Sequence, residues 1–348
     1  MLTVRVDERL SRKISRIGLM GAMLVVFIHS YLAHGALEHI DVIASLTQEF
    51  LSHGIARIAV PFFFIVSGFF LYRDFEFSRS WFFRKLHSRF WSLGVPYVLW
   101  GLIGFAFAVA STKISHAHNC ELMDWASPMW WVKVLGVVEK PFYCGQLWFV
   151  HMLLEWLVLA PIVGWTVWKV GYVVPAISFA FMCIPGLENP WLNALMYISF
   201  GACLALHPMR LSGIMKRSAL LLLVLWIGML GYRAYMVTVC SDVFSEQFIR
   251  VTIVVGLSAV WLCYDFVVPR ADRCRIDMIT GSSFFIYCTH MIFLAIFRST
   301  LRRCCVWNCD MLRFLLPPLL SIVAAVTAWI ALGRIAPKVR DILCGGRG

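Results

Sequence analysis

The stretch RIAVPFFFIVSGFFLYR, residues 57–73, places fifteen uncharged residues between two arginines, and six of the fifteen are aromatic. A helix needs about 20 apolar residues to cross a membrane, and the residues just before Arg57 extend this run to that length. Of the 348 residues, 61% are hydrophobic and 14% are charged, whereas a soluble domain carries about 25% charged residues. The sequence therefore predicts a multi-spanning membrane protein.

Similar apolar segments recur along the whole chain, so we predict an all-α, polytopic protein with about ten transmembrane helices in a single domain, residues 1–348. The predicted spans are 17–34, 54–72, 91–111, 147–168, 171–187, 191–207, 218–239, 248–269, 280–298 and 314–336. The longest connection contains WASPMWWVKVLGVV, residues 125–138. That stretch is too short to span, and we interpret it as an interfacial or re-entrant element.

The net charge of +12 follows the predicted topology. Counting from a cytoplasmic N-terminus, 21 of the 31 lysines and arginines fall on the cytoplasmic side and nine on the other. This bias predicts a plasma (inner) membrane protein with both termini in the cytoplasm. Since the topology accounts for the positive charge, we expect no nucleic-acid partner. The loop 298–313 is an exception with four outer arginines, which either serve a substrate site or indicate misplaced spans.

His29 follows ten almost wholly apolar residues in the first predicted span. A helix that enters the membrane near Ile17 places it roughly 18 Å deep, in the outer half of the bilayer core. A neutral imidazole can act as a general base there, where a charged group would be costly. Residue type and depth leave this role and a packing role equally open.

The second span and the run after it carry basic residues. Arg57 lies about one turn inside the outer boundary, and Ser67-Gly68 is small enough for a helix or ligand to approach closely. Arg73, Arg84, Lys85 and Arg89 lie at the predicted cytoplasmic face, between aromatic residues. This pattern suits phosphate groups of a ligand, lipid headgroups or simple topological anchoring.

Three further ionisable residues fall inside predicted spans. His151 and Glu155 are four residues apart and share one helix face, so the carboxylate can orient an imidazole. His290 lies one turn after Tyr287, and packing or hydrogen bonding is its expected role.

No nucleotide-binding glycine loop, serine-hydrolase elbow or zinc-type cysteine spacing occurs, and we expect no metal. Six cysteines fall on the predicted outer side, where disulfides and free thiols are both open. They are Cys120, Cys144, Cys240, Cys304, Cys305 and Cys309.

Five segments in order resemble the membrane acyltransferase-3 family, the O-acyltransferases of bacterial surface glycans. MLVVFIHS is similar to its first-helix histidine motif, and VPFFFIVSGFFLYR to its FF-x-x-SG signature. FFRKLHSRFWSLGVPYVLW follows as the basic segment, and GQLWFVHMLL and SSFFIYCTH are similar to two later ones. The family usually has an arginine eleven residues before its histidine; here that position is Gly18, and Arg16 is the nearest arginine.

The resemblance implies transfer of an acyl group from cytosolic acyl-CoA, with acetyl-CoA the expected donor, to a hydroxyl of a surface or lipid-linked glycan. His29 is then the base or a transient acyl carrier, with Glu155 or His151 as its orienting partner. Arg57 and His290 become candidates for acceptor binding. The candidate donor-binding residues are Arg16, Ser67, Arg73, Arg84, Lys85 and Arg89. Two other functions stay open, a non-enzymatic transporter or flippase for a glycolipid and a structural subunit of a glycan-assembly complex.

Overall fold

The computed structural model describes residues 7–32, 40–115, 127–187, 189–208, 218–240, 244–268, 275–302 and 309–347. Within these ranges all regular structure is helical and no strand occurs. The predicted all-α, polytopic membrane fold is confirmed, and each of the ten predicted segments overlaps a helix.

Fifteen α-helices lie within the described ranges. They are α1 (Glu8–Ile28), α2 (Val42–Leu51), α3 (Ala59–Tyr72), α4 (Arg79–Arg89), α5 (Val95–Ser115), α6 (Pro128–Leu135), α7 (Trp148–Val158), α8 (Ala160–Val170), α9 (Val173–Met182), α10 (Pro190–Leu206), α11 (Ala219–Val239), α12 (Glu246–Val267), α13 (Ser283–Leu301), α14 (Asp310–Ile335) and α15 (Pro337–Leu343). Short 3₁₀ helices at Ile55–Ile58, Gly145–Leu147 and Arg275–Ser282 lead into α3, α7 and α13, and a π-helix at Phe90–Gly94 joins α4 to α5.

Six helical segments of the described residues are long and apolar enough to cross a membrane, or seven if one bent pair forms a single span. The six are Val42–Tyr72, Arg79–Ser111, Ala219–Val239, Glu246–Val267, Arg275–Leu301 and Asp310–Ile335. Two other predicted spans, α9 and α10, are apolar helices of 10 and 17 residues; α9 is too short to cross the membrane, and α10 lies at the lower limit of about 17 residues.

The first predicted span, 17–34, differs from the helix that forms. α1 begins at Glu8, where the Asp7 carboxylate accepts a hydrogen bond from the Leu10 amide at 2.7 Å, and ends at Ile28. Arg298 donates from Nη2 to the His29 carbonyl at 2.9 Å and so satisfies one of the carbonyls at the helix end. His29 therefore caps the helix instead of lying inside it.

The predicted span 147–168 is also broken. α7 and α8 meet at Leu159 and are bent by 72°. Pro161 lies in the first turn of α8, where proline is favoured because it lacks an N–H group. Pro161 is the feature of the sequence from which this break could have been predicted.

The predicted element at 125–138 contains α6, which is eight residues long and ends at the left-handed Gly136. Tyr97 donates a hydrogen bond to the Gly136 carbonyl at 2.8 Å, so the element is tied to α5. Its position at a membrane interface stays a prediction.

Glycines bring α3 and α10 into backbone contact at the centre of the fold. A Cβ on Gly68 would lie 2.2 Å from the Ile198 carbonyl oxygen, and a Cβ on Gly201 would lie 2.0 Å from that of Ile65. Small residues allow membrane helices to pack this closely. Phe64 and Phe69 of α3 pack with buried side chains of α10 to form the core around this crossing.

Candidate active site

A cavity of about 660 Å³ lies between α3, the basic helix α4, α7 and α13. Its size is within the range of small-molecule sites. Part of its wall is apolar and includes Phe63, Val66 and Leu153. The other part is basic, and its cationic residues are Arg73, Lys85, Arg89 and Arg347.

The sequence places these cations through the anchoring of α4. Ser78 caps the helix by accepting a hydrogen bond from the Trp81 amide at 3.2 Å. The Trp81 side chain is fully buried and stacks on Tyr72 with ring centroids 6.0 Å apart. Because Lys85 and Arg89 are four residues apart, both then face the cavity from one side of α4.

One carboxylate neutralises part of this charge. Asp74 pairs with Lys85 at 2.5 Å and with Arg84 at 3.6 Å. Partial burial acts to raise the pKa of Asp74, but contact with Lys85 and the charge of Arg84 outweigh it and lower the pKa below its usual value. The carboxylate is therefore ionised, and it forms ion pairs with two basic residues of α4.

The remaining cations of the cavity have no such partner. Within the described ranges, Arg73, Arg89 and Arg347 form no ion pair with a carboxylate. Arg73 lies over the Phe70 ring at 5.6 Å and Arg347 over the Phe284 ring at 4.9 Å. Three cations without counter-charges at one cavity favour an anionic ligand such as a phosphate ester.

His29 and His290 form a pair at the far end of α1. Their ring centroids are 5.0 Å apart, and His290 is 1% exposed. His290 Nδ1 lies 2.7 Å from the carbonyl oxygen of Tyr287. A carbonyl can only accept, so Nδ1 carries the proton and Nε2 of neutral His290 is an acceptor. That Nε2 has no hydrogen-bond partner among the described residues.

Tyr287 connects the cavity with this histidine pair. Its side chain lines the cavity, its hydroxyl donates to the Gln146 carbonyl, and its own carbonyl accepts from His290. Three residues along α13 correspond to about 4.5 Å of rise. A ligand that fills the cavity therefore reaches to within about one helical turn of the pair.

A polar cluster beyond His29 escaped the sequence analysis; it consists of Tyr31, Glu49, His53, Arg57 and Arg233. The buried Glu49 accepts hydrogen bonds from Tyr31 at 2.7 Å and from Arg233 at 2.8 Å. Arg57 donates to His53 Nδ1 at 2.7 Å. Of the five, only Arg57 was singled out from the sequence, because the others lie near span ends where charged and polar residues are ordinary.

Seven of the eleven predicted site residues do not line the cavity: the donor-binding candidates Arg16 and Arg84, and His29, Arg57, His151, Glu155 and His290. Arg16 lies within α1 and pairs with Asp277 at 2.6 Å, whereas Gly18 lines the cavity. Two residues turn a helix by about 200°, so Arg16 points to a different side of α1 from Gly18, and this geometry does not support its predicted role in donor binding. Arg84 lies at the Asp74 pair, outside the lining.

His151 and Glu155 contact each other and not His29. Nδ1 of His151 lies 3.3 Å from Oε1 of Glu155, and the His151 ring faces Tyr97 with centroids 6.0 Å apart. The imidazole next to His29 is that of His290, so this geometry does not support Glu155 or His151 as the orienting partner, which stays a prediction.

The predictions on disulfides and metal binding concern cysteine, histidine and acidic side chains. Cys144, Cys240 and Cys309 have free thiols, and Cys120, Cys304 and Cys305 lie outside the described residues. In the described part of the chain, no three histidine, cysteine or acidic side chains are grouped so that they could hold a metal ion.

Two of three comparisons with known proteins found proteins similar to this chain. A family model described as an acyltransferase domain, acyltransferase-3, matches residues 19–334. The succinoglycan biosynthesis protein ExoH of Rhizobium meliloti (strain 1021) is 21% identical over 322 residues, which cover 86% of this chain and 82% of that protein. No solved structure matches the chain significantly.

Proposed function

Because this chain belongs to the acyltransferase-3 family and is a multi-pass membrane acyltransferase, we propose that it transfers an acyl group from cytosolic acyl-CoA to a hydroxyl of a cell-surface or lipid-linked glycan. Acetyl-CoA is the expected donor. Family membership makes the chain an enzyme, which removes the flippase and the structural subunit as alternatives. The glycan acceptor is suggested by the similarity of this chain to a succinoglycan biosynthesis protein.

The observation that carries the proposal is the cavity that joins two kinds of chemistry. Its basic wall, with Arg73, Lys85 and Arg89, suits the phosphates of coenzyme A. Its apolar wall suits the pantetheine arm, and it ends at Tyr287 next to the histidine pair. With the N-terminus in the cytoplasm, the basic wall faces the cytosol and His29 lies deeper in the membrane.

The proposed reaction uses His29 as its base. His29 takes the proton of the acceptor hydroxyl while the oxygen attacks the thioester carbonyl carbon. The carbon–sulfur bond then breaks, and the coenzyme A thiolate leaves and receives the proton. Alternatively, His29 first accepts the acyl group and then passes it to the hydroxyl. Both routes give an O-acyl glycan and free coenzyme A.

The function is tested on the cell's own polysaccharide. Mass spectrometry of surface and lipid-linked glycans is compared between cells with and without the gene. We expect a mass increment that only the gene-bearing cells show, and its size identifies the acyl group. Identical glycans from both strains would contradict the proposal.

Donor binding has a separate prediction. Coenzyme A should raise the midpoint of thermal unfolding of the detergent-purified protein, since a ligand at 100 times its Kd stabilises by about 2.7 kcal/mol. Arg89→Ala should lose most of this shift because Arg89 lines the cavity. Arg84→Ala is the matched control from the same helix, since Arg84 lies outside the lining. Equal loss in both variants would contradict the assigned cavity.

Replacement of Arg16 should lower the stability of the protein without weakening coenzyme A binding, in contrast to Arg89→Ala. Arg16→Ala leaves Asp277 without its ion pair, which should cost on the order of 1–3 kcal/mol of stability. The variant should therefore unfold at lower temperature but keep the full coenzyme A shift. If the ligand shift disappears while the unliganded stability is unchanged, Arg16 contacts the donor after all.

A further inference from the structure

The last described residues of the chain reach the cavity that carries the basic wall. At the end of α15, the Leu343 carbonyl accepts a hydrogen bond from Trp100 Nε1 at 3.0 Å, and the side chain of the next residue, Cys344, is fully buried. These two contacts anchor the segment against α5. The residues that follow, Gly345, Gly346 and Arg347, form a short strap over the cavity.

Two glycines give the strap its path. Gly345 and Gly346 have φ values of +64° and +75°, in the left-handed region that other residues rarely adopt. A Cβ on Gly345 would also lie 2.1 Å from the carbonyl oxygen of Ser92. The strap therefore needs glycine here both to turn and to lie against the cavity wall, of which Ser92 is a part.

The turn places Arg347 in the cavity lining. Its backbone carbonyl packs near Gly281, and its guanidinium lies 4.9 Å from the centre of the Phe284 ring. Arg89 lines the same cavity. Two guanidinium groups beside one cavity, neither paired with a carboxylate among the described residues, repel each other unless an anion lies between them.

We propose that the strap completes the donor site and that Arg347 contacts a phosphate of the acyl-CoA together with Arg89. This inference rests on the proposed function, because it takes coenzyme A as the anion. It adds a binding residue from a part of the chain that lies beyond all five motifs of the sequence analysis. The guanidinium of Arg347 can bind a phosphate through two parallel hydrogen bonds, which a lysine cannot reproduce.

The test measures binding of coenzyme A, 3′-dephospho-coenzyme A and pantetheine to the full-length protein in detergent, by thermal shift over a range of ligand concentrations. Arg347→Ala should weaken coenzyme A binding about 10- to 100-fold, as expected for loss of a charged hydrogen bond. Arg347→Lys should recover only part of the affinity. Lys338→Ala is the matched control because this exposed residue of α15 lies outside the cavity lining, and it should bind as the wild type does.

The three ligands show which phosphate is involved. If Arg347 contacts the 3′-phosphate, Arg347→Ala and wild type should bind the dephospho form equally; if it contacts the diphosphate, the variant should be weaker for both nucleotides. Pantetheine binding should be unchanged. Gly345→Ala, which keeps Arg347 but displaces the strap, should weaken coenzyme A as well.

The outcomes separate the two proposals. If wild-type protein is not stabilised by coenzyme A, the donor assignment fails and the role of Arg347 fails with it. If wild type is stabilised and Arg347→Ala, with an unchanged unfolding midpoint without ligand, binds equally well, only the role of Arg347 is overturned. If Arg347→Ala does not fold, Arg347→Gln is compared in the same way.

Discussion

His29→Ala should abolish acyl transfer while leaving the protein folded and able to bind coenzyme A. Removal of a general base lowers a rate by about 10²- to 10⁴-fold, and removal of an acyl carrier stops the reaction entirely. His29 is half-buried at the end of α1 and lies away from the basic wall, so donor binding does not depend on it. The measurement is the acyl content of the glycan at equal protein level, together with the coenzyme A thermal shift.

His87→Ala is the control for this variant. His87 is an exposed histidine of α4 that does not line the cavity, and its replacement should leave glycan acylation unchanged. Full acylation by His29→Ala would remove His29 from the mechanism. Loss of both acylation and the thermal shift would indicate a binding or folding defect instead.

The same protein distinguishes the two routes that His29 offers. Incubation with acyl-CoA in the absence of any acceptor should leave the His29 peptide unmodified if the residue is a base. An acyl group on that peptide, absent from His29→Ala, would identify it as a carrier.

His290 is the described imidazole that lies next to the proposed base, with ring centroids 5.0 Å apart. Because its Nδ1 proton is donated to the Tyr287 carbonyl, its Nε2 presents a lone pair in the environment of the His29 ring. An imidazole that donates one N–H to such an acceptor keeps its second nitrogen free to take a proton.

Local sequence determined the helices well and the long-range pairs poorly. Apolar runs placed helices at all ten predicted segments, although the first helix ends at Ile28 and a 72° bend breaks the segment 147–168. By contrast, the Glu49–Arg233 pair joins residues 184 positions apart. No local pattern indicates which of several arginines will pair with a given carboxylate across the fold.

Arg16 and Arg347 show the same limit in the candidate site. Arg16 is close to the motif in sequence but is held away by Asp277. Arg347 is far from every motif, and two left-handed glycines bring it to the cavity. Which arginine or lysine lines a site depends on the three-dimensional path of the chain. The positions of the motifs in the sequence do not contain that information.

Gly68→Ala should have the largest effect on stability. The added Cβ would lie 2.2 Å from the carbonyl oxygen of Ile198 and 3.0 Å from its Cα. Those are backbone atoms of α10, so the clash is relieved only if the two helices separate. Overpacking of this kind costs about 3 kcal/mol or more when the backbone must move. We therefore expect a strongly lowered unfolding midpoint in detergent.

The same substitution should also reach the active site. Ser67, Gly68 and Ile198 all line the cavity, so separation of α3 from α10 changes its wall. At temperatures where Gly68→Ala remains folded, we expect a weaker coenzyme A shift and less acylated glycan.

Gly228→Ala is the matched control for Gly68→Ala. Gly228 lies in the apolar helix α11, and a Cβ there meets no atom within 4 Å. Alanine is the better helix former by about 1 kcal/mol, so this variant should be as stable as wild type or slightly more so. If Gly68→Ala unfolds at the same temperature as Gly228→Ala, the close approach of α3 and α10 is wrong. Since Ser67, Gly68 and Ile198 line the cavity at this crossing, the donor site would then need a different wall.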